Sequence, residues 1–152
     1  MDRPDASLRV FTGYRLRRTT SSAMAYLQTV LAEFGLRRTT YSTLSVVVAK
    51  PGQRQGQVAA ALAIERPNFV QIVDELEKEG LILRERATDD RRAYALHATP
   101  RGQQLFAKAN IAVRRYEDML TKRLTPQQLD DFHRVLDVIA SNASKGGSED
   151  DV

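Results

Sequence analysis

Between residues 53 and 102 the hydrophobic pattern changes period, and that change leaves very few folds open to the chain. Val58, Ala59 and Leu62 mark one face of a short helical stretch. Phe69, Val70, Ile72, Val73 and Leu76 then return at three- and four-residue spacing in a longer one. The break at residues 63–66 has room only for a tight turn. Pro67 suits a first helical turn, where its fixed φ is already helical and its missing N–H would have no partner. Gly80 suits the stop, because glycine takes the left-handed cap without strain. Residues 81–86 and 92–98 then alternate as strands do. Ala87-Thr88-Asp89-Asp90 between them carries aspartates whose side chains bond nearby backbone in turns.

A helix, a turn, a second helix and a hairpin make a winged helix-turn-helix. Such a unit lays its second helix in the DNA major groove while the hairpin reaches for the backbone or the adjacent minor groove. The flanks read as further helices. Leu8, Phe11, Tyr14, Met24, Leu27, Val30, Leu31 and Phe34 predict a long amphipathic helix over residues 8–34, weakened at Thr19, Thr20, Ser21 and Ser22 and closed by Gly35. Thr39 or Thr40 offers a cap for the next helix, whose buried face is Leu44, Val46, Val47 and Val48 and whose end is Pro51-Gly52. The third helix is expected to begin near residues 53–55, where Arg54 is a poor cap.

After the wing, Thr99-Pro100 opens a helix carrying Leu105, Phe106, Ala109, Val113, Tyr116, Met119 and Leu120. Thr125-Pro126-Gln127-Gln128 is a capping-box pattern leading into Leu129, Phe132, Val135, Leu136, Val138 and Ile139. The expected fold class is mainly α with a small β-hairpin wing. Residues 37–99 are expected to form the winged helix-turn-helix DNA-binding domain, 1–36 and 100–143 to be dimerisation helices, and 144–152 to be a disordered tail. The apolar faces of the flanking helices exceed what a small head can cover. A second copy of the chain is the simplest cover, and a closed monomeric bundle is the other arrangement.

Composition narrows the function. A chain of 152 residues is one domain by the usual prior. No apolar run approaches membrane-spanning length, and the N-terminus lacks the basic and apolar regions of a secretion signal, so the cytoplasm and no membrane partner are expected. With no cysteine there is no disulfide, thiolate metal site or cysteine-based sensor in this chain. His97 and His133 are far apart in sequence, and no nucleophile–base pair or Gly-rich phosphate loop is present, so neither a metal, a cofactor nor an enzyme activity is expected. The net charge of +4 permits a nucleic-acid partner. Between Tyr41 and Arg101, however, nine Lys or Arg stand against eight Asp or Glu, leaving +1, so binding must depend on placement and not on bulk charge.

The run Asp90-x-Arg92-x-x-x-Leu96-x-x-Thr99-x-x-Gly102, preceded by Leu76-Glu77-x-x-Gly80-Leu81-Ile82, resembles the MarR family of bacterial transcription regulators. Ile64-Glu65-Arg66-Pro67 before the second helix and Asp90-Arg91-Arg92 in the wing are similar to its SlyA-like branch. Several motifs agree in order, and the flanking helices fall where that family has its dimer helices.

Candidate DNA-binding residues follow. Arg66, Asn68 and Gln71 lie at the start of the second helix, the end that enters the groove. Asn and Gln amides can pair with adenine and Arg with guanine, although such residues can also simply cap a helix or face water. The resemblance implies that Pro67 touches a sugar or a thymine methyl. It also implies that Asp90 braces Arg92, with which it shares a strand face, while Arg91 and Arg92 enter the minor groove; the plain alternative is a surface ion pair. Arg54, Arg84 and Arg86 are candidate phosphate contacts or merely solvated. Asp74, Glu75, Glu77 and Glu79 are expected to face away from the duplex or to pair with Lys78 and neighbouring arginines.

The family's crevice between dimer helices and DNA head often holds small aromatic or phenolic anions. Tyr14, Arg15, Arg18, Tyr26 and Tyr41 are candidates to line one here, or else serve in packing and solvation. The reading that results is a homodimeric repressor of the MarR type. It binds a pseudo-palindromic double-stranded operator and is released when a small aromatic ligand shifts the population of its conformations. The alternative is a winged-helix protein-interaction adaptor without DNA binding.

Overall fold

The computed structural model describes residues 3–86 and 94–146. Among the described residues the order is α1 (Thr12–Ala32), α2 (Arg38–Ala49), β1 (Gln53–Arg54), α3 (Gln55–Ala61), α4 (Arg66–Lys78), β2 (Ile82–Arg86), β3 (Tyr94–Ala98), α5 (Pro100–Thr121) and α6 (Pro126–Gly146). The chain divides into two units, residues 1–116 and 117–152. No helix among the described residues is long and apolar enough to cross a membrane.

The first unit is built on one core. Leu31 of α1, Leu44 and Val47 of α2, Val58 of α3, Phe69, Val73 and Leu76 of α4, Ile82 of β2, Leu96 of β3 and Ala109 of α5 are all at most 2 % exposed. Each large side chain so buried stabilises the fold by about 1.5–3 kcal/mol. Phe69, Ile72, Val73 and Leu76 make the buried stripe of α4, as their spacing predicts. Val70 departs from that expectation: it lies one residue outside the stripe and is 42 % exposed.

Local chemistry sets the helix boundaries. Contrary to the expected start near residue 8, α1 begins at Thr12 with Phe11 before it, and Leu8 and Phe11 are exposed. The preceding residues turn on bonds such as Ala6 N–H to the Arg3 carbonyl at 2.9 Å. Thr19 to Ser22 do not interrupt α1; Ser21 and Ser22 bond back to the Arg17 and Arg18 carbonyls at 2.9 and 3.2 Å. The cap of α2 is Arg37, not a threonine. Thr40 sits one turn in, where its hydroxyl accepts from the Arg37 N–H at 2.8 Å and donates to the Arg37 carbonyl at 2.9 Å. Arg54 does precede α3, and Gln57 compensates for its poor capping by accepting the Arg54 N–H at 2.9 Å.

A third strand joins the expected hairpin. β3 lies between β1 and β2 in an antiparallel sheet, with Gln53 opposite Leu96 and Ile82 opposite Ala98. The hairpin leaves α4 through Gly80 at φ +66 and returns to α5 through Thr99. There three segments meet. The Thr99 N–H donates to the Leu81 carbonyl at 3.0 Å, its hydroxyl donates to the Gly80 carbonyl at 2.7 Å, and the same oxygen accepts the Gly102 N–H at 3.0 Å. A Cβ on Gly102 would lie 2.0 Å from the Leu81 oxygen, so only glycine fits this first turn of α5.

In the second unit, α6 opens with the expected capping box: Thr125 N–H donates to Gln128 Oε1 at 2.9 Å and Gln128 N–H to Thr125 Oγ1 at 3.2 Å. The helix runs through Gly146, past the boundary at 143 expected from periodicity, and residues 147–152 lie outside the described residues. Phe132, Val135 and Val138 on α6 are 47, 53 and 59 % exposed.

Candidate nucleic-acid interface

The burial of one face of α4 dictates what the other presents. With Phe69, Ile72, Val73 and Leu76 inward, Arg66, Pro67, Asn68 and Gln71 are all exposed around its first turns, where sequence spacing predicts them. Glu65 is the N-cap of α4 and makes no side-chain cap bond, and no acidic residue follows it in the first turn.

Beside this face a groove of about 660 Å³ lies between α3, α4 and β3, with Arg54 and Arg66 on it and Phe69 and Ala59 below. Val70 and Tyr94 also line it, and Tyr94 is 44 % exposed. Neither is a contact candidate from sequence, where spacing counts Val70 with the buried face of its helix and Tyr94 as part of a strand. Arg54 is half-buried at the cap of α3, and Arg86 is exposed at the end of β2. Asp90, Arg91 and Arg92 lie outside the described residues.

Arg84 is placed differently from a phosphate contact. Its side chain is only 18 % exposed, and its guanidinium pairs with both Asp74 and Glu77 of α4, the Glu77 bond measuring 2.7 Å. The third acid of this helix, Glu75, pairs with Arg37. Asp74, Glu75 and Glu77 thus meet neighbouring arginines, as expected, and among the described residues none of the three pairs with Lys78. Like charges that would repel phosphate are met by guanidiniums the same fold supplies.

The five candidate effector residues do not form one site. Tyr14, Arg15 and Arg18 share a cleft on the N-terminal part of α1. Tyr26 instead packs on Tyr116 with ring centroids 5.6 Å apart, and the Tyr116 hydroxyl donates to the Ala23 carbonyl at 2.9 Å. Tyr41 packs on Phe106 at 5.7 Å and donates to Asn110 Oδ1 at 3.0 Å, a partner 69 residues away that no local pattern reveals. A separate concavity of about 670 Å³ runs along α1 past Leu16 and Met24 to Arg38 at the start of α2, with Arg17 and Gln28 on it. Among the described residues no group of three or more His, Asp or Glu could hold a metal ion.

Comparison with known proteins gives this geometry a context. A family model described as the MarR family matches residues 34–93. The chain is 35 % identical over 114 residues to the Thauera aromatica protein named for transcriptional regulation of its hcr operon, covering 74 % of this chain and 69 % of that protein. Among solved structures it is similar to the transcriptional repressor CouR bound to a 23-mer DNA duplex, with a TM-score of 0.86 and 33 % identity over 92 % of this chain and 99 % of that one. It is also similar to CouR bound to p-coumaroyl-CoA, with a TM-score of 0.81 and 31 % identity over 91 % and 98 % of the two chains.

Proposed function

This chain belongs to the MarR family of winged helix-turn-helix transcription regulators, and on that footing we propose that it is a homodimeric, sequence-specific repressor released from its operator by a small aromatic ligand. The observation that carries the reading is the exposed start of α4, bearing Arg66, Pro67, Asn68 and Gln71, in a chain that matches a DNA-bound repressor over nearly its whole length. In this reading residues 37–99 are the DNA-binding domain, and residues 1–36 and 100–143 dimerise. Arg66, Asn68 and Gln71 read base edges, Pro67 touches sugar or a thymine methyl, and Arg54 and Arg86 meet phosphate. Asp90 braces Arg92 while Arg91 and Arg92 reach the minor groove. The protein acts in the cytoplasm by binding and not by turnover.

For release, relatives are seen with p-coumaroyl-CoA, an aromatic thioester. The concavity along α1 suits the aromatic part of such a molecule, because Leu16 and Met24 give it an apolar wall and Arg17 and Arg38 can hold an acidic or phenolic oxygen. A ligand that fits the free conformation better than the DNA-bound one lowers operator affinity by population shift.

The test is a mobility-shift series at rising salt on operator and random duplexes. Specific binding that weakens steeply with salt supports the repressor, whereas an adaptor, left open by the head's charge of only +1, shows no such dependence. Gln71→Ala is expected to relax base preference by about 1–3 kcal/mol at one position while random-duplex affinity holds. Equal losses on both duplexes would contradict direct readout.

A further inference from the structure

The N-terminal segment carries a feature that reading DNA does not require. Arg3, Arg9, Arg15 and Arg18 line a cleft of about 390 Å³ together with Tyr14 and Thr19. One carboxylate meets them: Asp5 accepts from Arg9 Nε at 3.0 Å through Oδ1 and from the Tyr14 hydroxyl at 2.8 Å through Oδ2. Those bonds, Arg9's first and Tyr14's second, hold the Asp5 carboxyl down to about 2, so it stays charged and already engaged. Arg15 donates to the Arg9 carbonyl. Among the described residues no carboxylate forms an ion pair with Arg3, Arg15 or Arg18. Among the described residues, four guanidiniums less one carboxylate leave a surplus of three positive charges around one concavity.

Such a surplus is self-repelling unless an anion answers it. One carboxylate cancels a third of the surplus, whereas adjacent phosphates can cancel all of it, and the guanidinium fork matches phosphate oxygens two at a time. The volume falls in the range of small-molecule sites. We infer that this cleft binds the clustered phosphates of a small molecule, either the nucleotide end of a coenzyme A thioester or a free nucleoside polyphosphate. Any effect of such binding on the operator rests on the repressor reading above; the binding itself does not.

The experiment is calorimetric titration of the full-length protein with coenzyme A, ATP, inorganic pyrophosphate and benzoate, followed by the same titrations on Arg18→Ala, Arg18→Lys and, as a control remote in sequence, Arg114→Ala. Coenzyme A or ATP is expected to bind. Arg18→Ala is expected to weaken that binding about tenfold or more, Arg18→Lys to restore part of it as a point charge, and Arg114→Ala to leave it unchanged. Tighter binding of coenzyme A than of ATP identifies the thioester as the source, and the reverse order identifies a free nucleotide. No binding of either below about 1 mM, equal affinity for benzoate, or binding indifferent to Arg18 overturns the inference. So does a parallel loss of duplex affinity in Arg18→Ala, which would mean that the arginines meet the DNA backbone. A mobility shift with the bound ligand then separates the two claims: binding without release of DNA leaves the cleft assigned and removes only the effector role.

Discussion

Gly102 shows how strongly one position can constrain a protein whose surface is otherwise permissive. Any side chain there meets the Leu81 carbonyl, and the collision cannot be relieved by a rotamer, because the obstacle is backbone. Gly102→Ala is expected to cost about 3 kcal/mol or more, read as a lowered midpoint in urea, with loss of the Thr99 bonds to Gly80 and Gly102. An unchanged midpoint would show that α5 can shift away from the wing at little cost. Ala63 is the opposite case. It follows α3 at φ +51 in the tight turn before α4, a left-handed conformation that burdens any residue with a Cβ. Ala63→Gly should therefore raise stability by up to about 1 kcal/mol, checked by the same denaturation, although glycine is normally the weaker choice.

At the scale of elements, what was legible in the sequence is what depends on near neighbours. α4 could be read from the spacing of Phe69, Ile72, Val73 and Leu76, and α6 from its capping box, because a stripe and a cap are local physics. β1 could not: Gln53 and Arg54 show no alternation, and they form a strand only because the edge of β3 beside them needs partners. The start of α1 is not legible, because Leu8 and Phe11 fit helical spacing with Ser7 before them, whereas the helix begins only at Thr12, after a Phe11 that makes no side-chain cap bond. The exposed start of α4 was legible for the same reason as its stripe, and the bonding of Tyr41 to Asn110 or of Arg84 to α4 was not, since those partners meet only after folding. Arg84 leads to a prediction at this scale. Removing it uncovers Asp74 and Glu77 beside the reading face, so Arg84→Ala should weaken operator binding about tenfold at low salt and less at high salt. Stability should fall by no more than about 1 kcal/mol, because Asp74 and Glu77 are themselves 56 and 41 % exposed and water screens them. Operator affinity identical to wild type would show that these acids never approach phosphate.

For the whole molecule, the exposed apolar residues of α6 make association testable apart from DNA. A charge at Phe132, as in Phe132→Asp, should leave helical content unchanged, since the side chain is 47 % exposed in the single chain. Light scattering should then report a monomer. Operator affinity should drop at least about 100-fold, because a half-site alone forfeits the gain of two linked heads. A persistent dimer would place the interface elsewhere. The joint at Thr99 bears on how such a dimer is controlled. Recognition helix, wing and α5 are pinned within one turn of each other, so the reading head cannot swivel on a loose hinge. Within the first unit α5 runs over residues 100–116, a span of about 25 Å, and a tilt of about 5° moves the end of that span by about 2 Å. A push on that span is therefore felt at Gly80 and Leu81, where the recognition helix hands over to the wing.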